Sequence, residues 1–106
     1  MNERWLEAWV GRGRAPGASG AVEVLVTGLP DGDASWQVRV DDGVVADVAP
    51  GAPASADLTL TLPAAIATQV AAGELTVSAA FMQGRMKTAG DVGLVLDVLA
   101  AVDSRA

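Results

Sequence analysis

The chain has no cysteine, no histidine and no tyrosine, and it has a single phenylalanine and a single lysine. Each absence removes a class of chemistry. Without cysteine there is no disulfide framework, no thiolate zinc site and no Cys nucleophile. Without histidine, His-dependent triads and most zinc sites are excluded. Only carboxylates, Lys87 or hydroxyls could act on a substrate. Basic charge is also scarce: 13 acidic residues face 7 basic ones, a net charge of −6. That balance argues against nucleic acid and against an anionic membrane surface as partners. No apolar run approaches the roughly 20 residues that span a bilayer, so no integral membrane association is expected.

The first residues, MNERWLEAW, carry charge where a secretory signal needs an apolar core, so a cytoplasmic location is expected. The last three, Ser104-Arg105-Ala106, lack the terminal Leu of a peroxisomal address. The dominance of Arg over Lys, with abundant Ala, Gly and Val, is the composition of a GC-rich bacterial genome. At 106 residues the chain makes one domain, 1–106, that can bury about two thirds of its unfolded surface.

What is present is a change of period. Residues 2–10 place Trp5, Leu6, Trp9 and Val10 on one helical stripe, with Asn2 as N-cap, and residues 11–20 read as a loop. Gly11-Arg12-Gly13-Arg14 is no phosphate loop, because no strand precedes it and no Lys-Ser/Thr follows. Trp5 and Trp9 either pack on the body or form a contact patch. From residue 22 the period is two. Val22, Val24 and Val26 alternate with Glu23 and Leu25; Trp36, Val38 and Val40 alternate with Gln37 and Arg39. Val44, Ala46 and Val48 alternate with Val45 and Asp47, after a tight turn at Asp41-Asp42-Gly43. Leu58, Leu60 and Leu62 alternate with Thr59 and Thr61, and a short fifth strand is expected over 85–89. One apolar and one polar face predict an antiparallel or mixed sheet whose apolar face is covered by helices.

The covering helices follow from their ends. Pro63 opens an Ala-rich helix closed by Gly73, whose large apolar groups are Ile66 and Val70. Thr76 caps a second helix over 77–83, and Asp91 caps a last one. In that last helix Val92, Val95, Leu96, Leu99 and Val102 form a stripe, with Leu94 and Val98 opposite. A helix apolar nearly all round has two dry neighbours: the sheet and either a ligand, a partner subunit or another helix. Gly84 and Gly90 serve backbone turns at the helix–strand junctions.

With that order in view, the chain resembles the sterol carrier protein type 2 family of lipid-binding domains. The likeness lies in Gly73-Glu74-Leu75, then Ala80-Phe81-Met82-Gln83-Gly84, Arg85-Met86-Lys87, Ala89-Gly90-Asp91 and Gly93-Leu94. It holds in order and spacing over 56–99, rests on strand pattern over 21–49, and has nothing specific over 1–14. The resemblance implies an α+β fold: five strands, helices on one face, and an enclosed apolar cavity for a fatty acyl, sterol or similar molecule. Family members are mostly carriers, some fused to enzymes. This chain departs at both ends, with a short N-terminal part and little chain after the last helix to form a lid.

An Ala-rich helix against a sheet leaves volume to be filled by collapse, by large neighbours or by a ligand. Val24, Val26, Trp36 and Val38 on the early strands, with Leu58 and Leu60, are candidate ligand-binding residues on the sheet. Ile66, Val70, Phe81 and Met82, with Met86, Val95 and Leu99, are the candidates facing them. For each the alternative is plain core packing. Arg85 and Lys87 could contact an acidic headgroup, but cross-strand pairing with Glu23, Asp47 or Asp57 is the preferred reading. Asp91 is explained by capping, so no catalytic residue is named.

The functional expectation is a non-catalytic carrier of an apolar or amphipathic ligand: a lipid, fatty acyl chain, sterol-like or polyketide-like molecule. A biosynthetic accessory protein or cofactor-free cyclase or isomerase is the alternative. It would draw a buried polar group from Asp47, Asp57, Thr88 or Ser78. A dimerisation module with a collapsed cavity is the third reading, and a homodimer stays open as a partner. No metal or organic cofactor is expected, since only oxygen ligands are available and the acidic pair Asp41-Asp42 sits in a turn.

Overall fold

The alternating segments form β1 (Gly20–Leu29), β2 (Gly32–Asp41), β3 (Val44–Pro50), β4 (Leu58–Pro63) and β5 (Lys87–Gly90). Four helices accompany them: α1 (Arg4–Glu7), α2 (Ala64–Ala71), α3 (Val77–Met82) and α4 (Val92–Asp103). The computed structural model describes residues 4–13, 17 and 19–103. The five strands make one sheet in the order β3-β2-β1-β4-β5. β1, β2 and β3 are an antiparallel meander, β4 returns parallel to β1, and β5 pairs antiparallel with β4, so the sheet is mixed.

Register decides which face each side chain takes. Val22 lies beside Val38 and Leu58, and Val24 beside Trp36 and Leu60. Val22, Val24, Val26, Trp36, Val38, Val40, Leu58, Leu60 and Leu62 all point inward and are 3% exposed or less. Glu23, Gln37 and Thr59 stand on the other face, with exposed Arg39 and Lys87. There Arg39 pairs with Asp47 at 2.9 Å, an exposed ion pair worth about 1 kcal/mol at most.

Three elements depart from the sequence reading. In β3 the expected alternation breaks. Arg39 opposes Asp47 but Val40 opposes Val45, so Ala46 is the extra residue of a β-bulge. The bulge turns Val45, not Val44, into the core. The first helix ends at Glu7 rather than at residue 10, and Asn2 lies outside the described residues. The chain turns there because residues 11–13 join the sheet: the Gly11 amide donates to Val45 O and the Val45 amide to Arg12 O, each at 2.8 Å. This short bridge, which includes Gly13 opposite Val44, covers part of β3's outer edge. Finally, β5 begins at Lys87, not Arg85. α3 ends in a Schellman motif, with Gly84 at φ 73° donating to Phe81 O and Arg85 donating to Ala80 O. Those bonds commit Arg85 to the helix end.

The helices cover the apolar face through a small set of contacts. Trp5 packs edge-on against Trp9 and Trp36, with centroids 5.6 and 5.9 Å away, and Trp9 is buried on the body. α4 buries Leu94, Val95, Val98, Leu99 and Val102, while Leu96 stays 71% exposed. The Arg12 guanidinium donates to Val102 O at 2.9 Å, satisfying a carbonyl at the end of α4. Asp103, the last residue of α4, holds the start of α3. Its carboxylate accepts from the Val77 and Ser78 amides and from Ser78 Oγ. Thr76 Oγ1 caps the same turn by accepting from the Ala79 amide. No helix among the described residues is long and apolar enough to cross a membrane.

Candidate functional site

Two clefts lie where the helices meet the β4–β5 half of the sheet, away from an open surface hollow of about 290 Å³ beside Ser19, Ala21, Arg39 and Asp41. A cleft of about 580 Å³ is lined by Thr27, Thr61, Pro63, Ile66, Gly84, Arg85 and Lys87. A second, of about 240 Å³, is lined by Phe81, Thr88, Ala89, Gly90, Val95 and Leu96. The first opens at the end of β4. There Thr61 pairs with Lys87, and Thr27 sits opposite Pro63 on the neighbouring strand. The second opens under α3 and α4 at the edge strand, where Thr88 faces the helix layer beside Leu60. Met86, 4% exposed, is buried between the cations of the first cleft in sequence.

Gly90 is what lets β5 come in so close. It sits at φ 117°, and a Cβ there would collide with the carbonyl of Asp57. The next amide, Asp91, donates to that same carbonyl at 2.9 Å. Asp91 Oδ1 then accepts from the Leu94 amide at 3.2 Å, so its carboxylate caps α4 as its position in the sequence implies.

The thirteen ligand-binding candidates separate into four groups. Val24, Val26, Trp36, Val38, Leu58 and Leu60 are packed in the core, with Leu99 beneath α4. Ile66, Phe81 and Val95 line the two clefts, whereas Met86 is buried in the core and lines neither. Val70 lines a hollow of about 100 Å³ near Trp5, Arg12 and Asp103, which is too small for a lipid chain. Trp5 also lines this hollow, and its buried Nε1 has no hydrogen-bond partner among the described residues. Met82 is 83% exposed at the end of α3. Sequence reasoning missed Thr27, Thr61 and Leu96 as cleft residues, and named Thr88 only as a polar group for the enzyme alternative. The parallel pairing of β1 with β4 brings the first two to one cleft, and no local pattern announces that pairing.

Among the described residues, no carboxylate lines either cleft. Of the groups that could have served an enzyme, Asp47 is held by Arg39 and Asp57 accepts from the Ala21 amide. Ser78 donates to Asp103, and Thr88 alone lines a cleft. Among the described residues no three acidic side chains gather as a metal site would require.

Solved structures share this architecture. The palmitated sterol carrier protein 2 like 2 of Aedes aegypti is 23% identical, with 83% of this chain and 76% of that one covered and a TM-score of 0.68. Sterol carrier protein 2 of Yarrowia lipolytica in its apo form is 27% identical, over 76% and 70% of the two chains, with a TM-score of 0.58. A conserved hypothetical protein from Thermus thermophilus is 18% identical but aligns over 98% and 90%, with a TM-score of 0.70. No curated protein matches the chain in sequence. The profile of the SCP-2 sterol transfer family matches residues 4–103, from the first described turn of α1 to the end of α4, and the chain belongs to that family.

Proposed function

We propose that the protein binds one apolar or amphipathic molecule without covalent chemistry and carries it. The ligand would be a lipid, fatty acyl chain, sterol-like or polyketide-like molecule. It lies along the seam between the helix layer and β4–β5, past Ile66, Met86, Phe81 and Val95. The observation that carries this reading is the pair of clefts at that seam, in a chain of a sterol transfer family. The larger volume is in the range of small-molecule sites, roughly 300–1,000 Å³. Four alanines on α2 (Ala64, Ala65, Ala67 and Ala71) leave the helix thin, and the flexible side chain of Met86, buried in the core next in sequence to Arg85 and Lys87, can repack around a chain. The clefts' freedom from carboxylates supports a carrier over a catalyst.

Mass spectrometry of organic extracts from the purified protein should show a co-purifying apolar molecule. Titration with a fluorescent fatty acid should saturate at one per chain. Thr88→Trp puts an indole into the smaller cleft from a half-buried position and should cut affinity about tenfold or more, with circular dichroism unchanged. Absence of binding to any fatty acyl, sterol or polyketide-like probe by the wild type would overturn the carrier reading.

A further inference from the structure

We infer that the cleft at Thr27, Thr61, Arg85 and Lys87 is a headgroup subsite that selects amphiphiles bearing a compact anion: a carboxylate, sulfate or phosphate. Its apolar wall, Pro63 and Ile66, takes the first carbons of the chain. The inference rests on the carrier reading and adds the class of ligand carried.

The first ground is the state of the cations. Among the described residues, Arg39 pairs with Asp47, Arg12 donates to Val102 O and Arg4 is engaged. The side chains of Arg85 and Lys87 make no hydrogen bond or ion pair. The three carboxylates named as their partners bond elsewhere: Glu23 accepts from Ser35 Oγ at 2.8 Å, Asp47 pairs with Arg39, and Asp57 accepts from the Ala21 amide at 2.8 Å. Cross-strand pairing, the expected role of both residues, is therefore not what the fold provides.

The second ground is their placement. Both cations line one cleft in a chain of net charge −6, and among the described residues no acidic one lines it with them. Every side chain there with a polar group can donate a hydrogen bond. The Thr27 and Thr61 hydroxyls share the outward face with Lys87, which is Thr61's cross-strand partner. The Arg85 backbone is pinned by its bond to Ala80 O, so the guanidinium starts from a fixed point at the rim. A planar guanidinium beside an ammonium suits an oxyanion, which Arg can bind through two parallel bonds. The third ground is continuity. Ile66 belongs to both the cleft and the core, and Met86 is buried between the two cations in sequence. An anion on Arg85 and Lys87 thus has an apolar path leading inward from it.

The test compares dodecanoate with dodecan-1-ol, equal chains with and without charge, by calorimetric titration at about pH 8, where a carboxylic acid is ionised. Wild type should bind dodecanoate roughly tenfold more tightly, with that margin shrinking as salt is added. Arg85→Ser/Lys87→Ser, at two exposed positions, should erase the margin by weakening dodecanoate far more than dodecan-1-ol. Arg39→Ser, on the same sheet face but paired elsewhere, should keep the margin. Equal wild-type affinities, or a margin that survives the double substitution, would overturn the headgroup subsite and leave the carrier reading standing. A double variant that loses both probes equally would also overturn it, since the cations would then be shaping the chain's site. Wild type that binds neither probe would overturn the carrier reading with it. Binding to phosphatidylglycerol vesicles through Arg85 and Lys87, without preference for monomeric dodecanoate, would assign the cations to a membrane surface instead.

Discussion

On the β3 side of the sheet the edge is partly sealed. Residues 11–13 bond to its backbone, Arg39 and Asp47 pair across it, and Trp5, Trp9 and Trp36 stack behind it. On the β5 side the edge strand has four residues, two cations stand unpaired, and Met82 and Leu96 are exposed. The same sheet and the same inward register run through both halves, so the difference is not one of fold. It lies in what fills the space. Large aromatics close one half, whereas α2's alanines and a single methionine leave the other half with clefts. A domain of this size must spend most of its apolar surface on stability. Placing both Ile66's and Phe81's clefts at one end keeps the binding function from undoing the core.

The largest expected effect tests the sealed half. Trp36→Ala removes the ring that α1 packs on and should cost about 3–5 kcal/mol in urea unfolding. A loss below about 1 kcal/mol would mean that the meander does not anchor the fold. Next comes the junction of the halves. Asp103→Ala removes three hydrogen bonds that tie α4 to the start of α3, and should cost about 1–3 kcal/mol. Hydrogen exchange should quicken first at Val77 and Ser78, while the β1–β2 amides stay protected. Leu96→Ser changes an exposed rim residue, so stability should move by about 0.5 kcal/mol or less while binding of a neutral apolar probe weakens. Met82→Ser, more exposed and outside both cleft linings, should change neither; weaker binding by that variant would extend the site along α3. Smallest is Arg39→Ala, with a stability loss of about 1 kcal/mol at most and no effect on binding.

Much of this was legible because it is local. The inward sets of β1, β2 and β4 follow from period two, and the starts of α3 and α4 follow from Thr76 and Asp91. The helix stops at Gly73 and Gly84 were legible for the same reason. What escaped was non-local. The bulge that turns Val45 inward depends on the register with β2, and the bridge over 11–13 depends on β3 having a free edge. Met82 and Phe81 are adjacent apolar residues on one short helix. Helical spacing puts Phe81 on one stripe with the buried Val77 and Ala80 and leaves Met82 off it, so this much was legible, and naming Met82 as a site residue ran against that spacing. The fate of Arg85 and Lys87 turned on where three distant carboxylates found partners, which pairwise sequence reasoning could not settle.

The central claim is that binding belongs to the β5 half alone. Titrating isotope-labelled protein with dodecan-1-ol while recording backbone amide shifts tests it without reference to any headgroup. The shifts should move at Ile66, Phe81, Thr88, Val95 and Leu96 and stay still through the β2–β3 hairpin and around Trp5 and Trp9. Changes concentrated at Trp5, Trp9 and Val70, or spread evenly along the meander, would contradict the account.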